Sequence, residues 1–137
     1  MSPDIEQTIR QSFAAQSMMT TLGARLVAVS AGQIEIEAPI LPGSRQQHGF
    51  GHAGLTFAIG DSAAGYAALS MMPEGAEVLT TEMKINLLAP AQGERLIARG
   101  RVIKPGRRLV IVQADVYALR DGAEAHIALL TGTMIPV

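Results

Sequence analysis

Ala53-Gly54-Leu55-Thr56-Phe57-Ala58-Ile59-Gly60-Asp61-Ser62-Ala63-Ala64-Gly65-Tyr66-Ala67-Ala68-Leu69-Ser70-Met71-Met72 is an apolar run of mostly small residues, closed by Pro73. A typical strand has ~5–6 residues, so a run of this length is expected to be a helix. Its Gly and Ala positions let it lie close against another surface. Downstream of Pro73 the pattern changes to strands, expected near Glu77–Leu88, Arg95–Lys104, Leu109–Leu119 and Ala125–Ile135. Pro90-Ala91-Gln92-Gly93, Pro105-Gly106 and Asp121-Gly122 separate them, and all are turn formers. Such short connections make neighbouring strands antiparallel, because a parallel pair needs a long crossover. One long helix amid antiparallel strands predicts an α+β domain with the sheet wrapped around a buried helix.

Upstream of that run, residues 3–16 read as a short amphipathic helix. Ser2 can cap it, Pro3 suits the first position, and Asp4 and Glu6 favour the positive end of the helix dipole. Ile5, Ile9 and Phe13 form a narrow apolar stripe. Leu26-Val27-Ala28-Val29, the turn Ser30-Ala31-Gly32 and Ile34-Glu35-Ile36-Glu37 make a hairpin signature, with the isoleucines inward and the glutamates facing water. Pro39, Pro42 and Gly43 end it, and Ser44–Gly49 is a polar loop. Residues 1–137 read as a single domain, with 1–21 the N-terminal helix and its connection.

Composition narrows the functions. The chain has no cysteine, which excludes disulfides, Fe–S clusters, Cys-ligated zinc and Cys nucleophiles. A net charge of -1, two Tyr, three Phe and no Trp argue against a nucleic-acid partner. Only 17% of residues are charged against 48% apolar, which points to surface hidden in a homo-oligomer. The polar, acidic start Met1–Glu6 is unlike an export signal, so a cytoplasmic protein is expected.

From Ala53 through Pro73 the one formal charge is Asp61. Burying a carboxylate costs several kcal/mol unless it is paired or hydrogen-bonded, so Asp61 needs a reason. One is a cap at a kink near Gly60-Asp61-Ser62. Another is a general base or nucleophile at a water-poor site. A membrane span is discounted, since Pro-Glu-Gly follows directly, no basic flank is present, and amphipathic strands come next.

Gly49-Phe50-Gly51-His52-Ala53-Gly54 matches the GxGxxG dinucleotide pattern, but a polar loop rather than a strand precedes it and no βαβ unit follows. What it offers is a glycine-rich approach to a helix N-terminus, whose free amides can stabilise an oxyanion. If the helix starts near Ala53, Asp61 lies ~12 Å further along the axis. His52 and Asp61, nine residues apart, then point to opposite faces. Groups so placed can act on one substrate only if they come from two chains, at a two-fold interface.

His52-Ala53-Gly54 followed by Asp61 resembles the His-Gly-Gly…Asp motif of hotdog-fold acyl-CoA thioesterases of the phenylacetate-pathway, PaaI-like group. Thr80-Thr81-Glu82-Met83-Lys84-Ile85-Asn86-Leu87-Leu88-Ala89-Pro90-Ala91 looks like that family's strand ending in an Asn-x-x-x-Pro-Ala turn. Val102–Leu109 resembles its next hairpin and Gly132-Thr133-Met134 its last strand, so the likeness runs from about Leu22 to the C-terminus. The resemblance implies a hotdog fold with Asp61 as catalytic carboxylate, activating water or attacking the thioester itself. The Ala53 amide then occupies the oxyanion hole, with His52 and Gly54 completing the motif. Gln46 falls where relatives carry Asn or Gln to orient the carbonyl or the water, and Thr80 where some relatives position the water with Ser or Thr. Ala53 departs from the motif's first Gly, and its amide serves there if φ is negative. His52 is expected to orient rather than carry protons.

Six of the eleven basic residues, Arg95, Arg99, Arg101, Lys104, Arg107 and Arg108, fall in one hairpin. They read either as a solvated strand face or as contacts to coenzyme A phosphates. Lys104, Arg107 and Arg108 at the turn are favoured for the phosphates, with Thr81 joined to them. His48 and His52 have i, i+4 spacing, but the glycines between them argue against a metal site. His126 reads as a satisfied strand residue. Met71, Met72, Phe57 and Tyr66 are candidates to shape an acyl pocket or simply core.

The expectation is a cytoplasmic homodimer or homotetramer that hydrolyses acyl-CoA or aryl-CoA thioesters, with no metal or redox cofactor and no membrane or nucleic-acid partner. A non-catalytic acyl-CoA binder and another hotdog enzyme, such as a hydratase or dehydratase, are the alternatives.

Overall fold

In the computed structural model, which describes residues Met1–Val137, the apolar run forms helix α3 (Ala53–Leu69). It stops three residues before the expected end. Ser70 donates its hydroxyl to the Ala67 carbonyl at 2.6 Å and accepts the Gly32 amide at 2.8 Å, which ties the helix end to a hairpin turn. The helix is unbroken at Asp61, so that residue is neither a cap nor a kink.

The strands are β1 (Arg25–Ser30), β2 (Gln33–Pro39), β3 (Val78–Leu87), β4 (Arg95–Pro105), β5 (Val110–Arg120) and β6 (Ala123–Pro136). They form one antiparallel sheet in the order β1-β2-β4-β5-β6-β3, wrapped around α3. This is the hotdog fold expected from the sequence, with strand limits within about two residues of expectation. No parallel pair exists, so the Gly49–Gly54 match belongs to no dinucleotide-binding unit. No helix is long and apolar enough to cross a membrane.

Strand alternation builds the core. Ile34 and Ile36 on β2, Leu96 and Ala98 on β4, and Val112, Ala114 and Val116 on β5 are buried against Ile59, Ala63, Ala64 and Ala67 of α3. Helix and sheet come closest at Gly100, where an added Cβ would lie 2.3 Å from the Ala63 carbonyl carbon. The opposite face of the sheet carries charge. Arg99 bonds Glu35 at 2.9 Å and Glu124 at 2.8 Å, Arg95 reaches Glu37 at 3.3 Å, and Arg101 pairs with Asp115. Glu35 and Glu37 therefore face outward as expected but hold cross-strand ion pairs rather than water alone. His126 sits on this face, bonded to Asp115 at 2.9 Å and stacked on Tyr117, a satisfied strand residue.

At the N-terminus, α1 (Pro3–Ala15) is capped by Ser2, which accepts the Ile5 amide at 3.2 Å. Ile9 is fully buried, and Ile5 and Phe13 flank it against the core. A short helix not anticipated from the sequence, α2 (Ser17–Thr21), follows and buries Met19. Gln16, between the two, has an extended backbone and turns its side chain onto α3.

Candidate active site

Asp61 projects from the middle of α3 toward β3, where the Thr80 hydroxyl donates to its Oδ1 at 2.8 Å. Burial pushes the Asp61 carboxyl above its ordinary pKa of 3.8, and the Thr80 bond partly offsets this. A partly dehydrated carboxylate of this kind is a stronger base than one in water. Thr80 owes its aim to a β-bulge: opposite β6 the register slips between Thr80 and Glu82, leaving Thr81 as the extra residue. The Thr81 hydroxyl is spent on its own sheet, donating to the Thr133 carbonyl at 3.0 Å.

A second set of groups gathers at the N-terminus of α3. His52 is the N-cap, its Nδ1 accepting the Gly54 amide at 2.8 Å, so the neutral ring carries its proton on Nε2. An added Cβ on Gly54 would lie 2.9 Å from that Nδ1, so position 54 needs glycine. Position 53 does not, since Ala53 has no positive φ. The Gly54 amide is thus taken, whereas the Ala53 N–H has no partner within the chain. Gln46 accepts the His48 and Phe50 amides on its Oε1, which leaves its Nε2 hydrogens free, and it lines the same cavity as Ala53.

The predicted site residues therefore fall into two groups. Asp61 and Thr80 share one cavity, of about 190 Å³. Gln46 and Ala53 share another, walled by Phe50, Leu87, Leu88 and Pro90. The two cavities have no residue in common. One chain thus holds the carboxylate in one place and the unpartnered helix-start amide in another, as the helix spacing predicts.

The Thioesterase superfamily family model matches residues 48–125, more than half of the chain, a span that includes Ala53, Asp61 and Thr80 and begins two residues after Gln46. The chain belongs to the thioesterase superfamily. A thioesterase family protein from Silicibacter pomeroyi is 48% identical, superimposes with a TM-score of 0.95, and is matched over 97% of this chain and 98% of its own. The PaaI protein of the E. coli phenylacetic acid degradation operon shares the fold at 18% identity, with a TM-score of 0.86 over 98% of this chain and 94% of that one. A Halobacterium salinarum protein that carries a provisional esterase name is 28% identical over 115 residues, 80% of this chain and 75% of its own length. The protein is accordingly a thioester hydrolase.

In this thioesterase the basic residues split as their partners dictate. Arg95, Arg99 and Arg101 are committed to the ion pairs of the outer face. Lys104, Arg107 and Arg108 are exposed in and beside the β4–β5 turn, with no ion-pair partner. Val110, just after that turn, pairs with Met134, and Met134 pairs with Thr80, so the free cations lie at the same end of the sheet as the Asp61–Thr80 pair. Thr81, next to Thr80 on β3, lies at that end as well, with its hydroxyl donating to the Thr133 carbonyl. His48 and His52 belong to no group of three or more His, Asp or Glu side chains placed to share an ion.

Of the four candidate acyl-pocket residues, only Tyr66 lines the Asp61 cavity; Met72 is core and Met71 is exposed. Sequence reasoning missed Ser12, Gln16, Ser62 and Glu77, which also line it. Ser62 sits beside Asp61 in sequence, but nothing local announces that residues of α1 meet it.

Proposed function

We propose that this thioesterase hydrolyses acyl-CoA esters, in sites that each combine Asp61 and Thr80 of one copy with Ala53 and Gln46 of a second. The observation that carries this reading is the separation of a raised-pKa carboxylate from an unpartnered helix-N-terminal amide, in cavities that a single chain does not join. The free edge of the sheet supports the pairing. β3 is terminal in the strand order, and Leu79, Leu87 and Leu88 on or beside it are more than half exposed (54%, 57% and 53%), a surface suited to edge-to-edge contact.

The chemistry follows from these positions. The thioester carbonyl oxygen accepts from the Ala53 N–H at the positive end of α3, which stabilises the developing oxyanion. Water held near Asp61 attacks the carbonyl carbon and gives its proton to the carboxylate. The tetrahedral adduct then expels the coenzyme A thiolate, which takes that proton. Direct attack by Asp61 would instead form a mixed anhydride that water hydrolyses. The free Gln46 amide is suited to orient the carbonyl or the water. His52, tied through Nδ1 to Gly54, is suited to shape the helix start rather than to carry protons. No metal or redox cofactor has a step in this scheme.

The test is thiol release by the full chain from a panel of short, long and aryl acyl-CoA esters. Turnover of at least one class above background is expected; saturable binding with no thiol released would leave a binding module instead. Two variants refine the reading. Thr80→Val should lower kcat roughly tenfold, as expected for losing a hydrogen bond to a charged group. It should also move the acid limb of the pH–rate profile upward, because the bond that holds the Asp61 pKa down is gone. Arg107→Ala combined with Arg108→Ala should raise KM for coenzyme A esters about three- to tenfold and leave kcat unchanged. Initial rates in low and high salt check this, since screening should shrink the difference.

A further inference from the structure

The cavity beside Asp61 has polar walls that hydrolysis does not require. Toward the C-terminal end of α3 it reaches Tyr66, about 7–8 Å beyond Asp61 along the axis at 1.5 Å per residue. The Tyr66 hydroxyl is 3.0 Å from the Ser12 hydroxyl and accepts from Gln16 Nε2 at 3.1 Å. Ser62 in turn donates to Gln16 Oε1 at 3.3 Å. These bonds leave capacity unused: Gln16 keeps a second Nε2 hydrogen, and the Ser12–Tyr66 pair keeps one spare donor and spare lone pairs. Tyr66 is only 6% exposed, and it lines the cavity with its hydroxyl bonded to Ser12 and Gln16.

The floor offers a second, independent observation. Gly65 lies in the interior of α3, where glycine is ~1 kcal/mol worse than alanine. Packing does not demand it. An added Cβ would meet nothing nearer than Met134 Cε at 3.7 Å, an ordinary contact. Gly60, in the same helix, differs: its Cβ would lie 2.9 Å from Leu130. The room over Gly65 opens into the Asp61 cavity, which Gly65 helps to line.

We propose that this cavity receives the acyl group, and that Tyr66, Gln16 and Ser12 select a short acyl chain bearing a hydroxyl or carbonyl at the end remote from the thioester. The inference rests on the acyl-CoA reading above and deepens it. With the thioester carbon at Asp61, the acyl group extends along α3 over Gly65. Its far end meets the unused donors and acceptors of the cluster. A plain alkyl end placed there would bury those groups without a new partner, which opposes binding. A longer chain overruns the cluster, which lies only about 7–8 Å beyond Asp61 along the helix axis.

The test compares kcat/KM for matched esters: hexanoyl-CoA against ω-hydroxyhexanoyl-CoA, and phenylpropanoyl-CoA against p-hydroxyphenylpropanoyl-CoA. The hydroxylated member of at least one pair should be favoured roughly three- to tenfold, the yield of one net hydrogen bond. Tyr66→Phe and Gln16→Ala should bring that ratio toward one, because the group that favours the hydroxylated member is gone. Gly65→Val should depress both members of the aryl pair. Equal rates within both pairs in the wild type, or a preference that survives Tyr66→Phe, would overturn the assignment while leaving acyl-CoA hydrolysis intact. If no ester is hydrolysed, the acyl-CoA reading fails instead. Titration of the free acids then still decides the pocket: tighter binding of p-hydroxyphenylpropanoate, lost in Tyr66→Phe, upholds it, and equal binding overturns it.

Discussion

Asp61→Asn should fold normally and hydrolyse acyl-CoA esters about 10²–10⁴-fold more slowly, the usual contribution of a positioned general base. The replacement preserves shape and can still accept from the Thr80 hydroxyl. Stability should move the other way. Because burial raises the native pKa above 3.8, the folded chain binds more protons than the unfolded one between that value and the raised one. Stability therefore falls as pH rises through that window, and at neutral pH the ionised carboxylate is a net burden on the fold. Asn removes it, so Tm at neutral pH should hold or increase, and the pH dependence in the window should vanish. Denaturation scans at mildly acidic and neutral pH, beside a thiol-release assay, check both halves. Near-wild-type hydrolysis by this variant would remove Asp61 from the mechanism.

Ala53→Pro is the complementary experiment. Proline is well tolerated at the first helical position, and His52 already has the extended backbone, φ −65° and ψ 145°, that a following proline requires. The variant therefore deletes one N–H with little cost to the helix. Losing one oxyanion donor should reduce kcat by ~10²–10³. Mixing is the sharper readout. When Asp61→Asn and Ala53→Pro chains are co-expressed, a hybrid pair contains one intact site, and random pairing should restore about a quarter of wild-type activity. Hybrids that form, as seen by mass spectrometry, yet stay inactive would place both groups of each site in one chain.

Much of this architecture is legible before any coordinates. Helix α3 and the four strands after it follow from residue size, alternation and turn chemistry, all local properties. Asp61 stands out because a lone charge in an apolar helix contradicts its surroundings, and helix geometry separates it from Ala53. Contacts set by tertiary meeting points are less visible. The bulge that aims Thr80 depends on the pairing of β3 with β6. Thr81, the extra residue of that bulge, donates its hydroxyl to the Thr133 carbonyl, a contact that likewise depends on the pairing of β3 with β6. Glu35 and Glu37 look solvent-facing until β4 brings arginines beside them. The Ser12–Gln16–Tyr66 cluster joins residues some fifty positions apart, and its cause, the break between α1 and α2, carries no proline or glycine to announce it.

The unpaired edge of β3 carries a thermodynamic corollary. If the reacting centre is shared between two chains, any ester spanning both is a ligand of the associated form and not of the separated one. Its binding then shifts the association equilibrium by mass action, in proportion to the logarithm of its concentration over its dissociation constant. Such a protein would couple its own assembly to supply, gathering into working pairs as thioester accumulates and relaxing toward inert single chains as the pool is consumed.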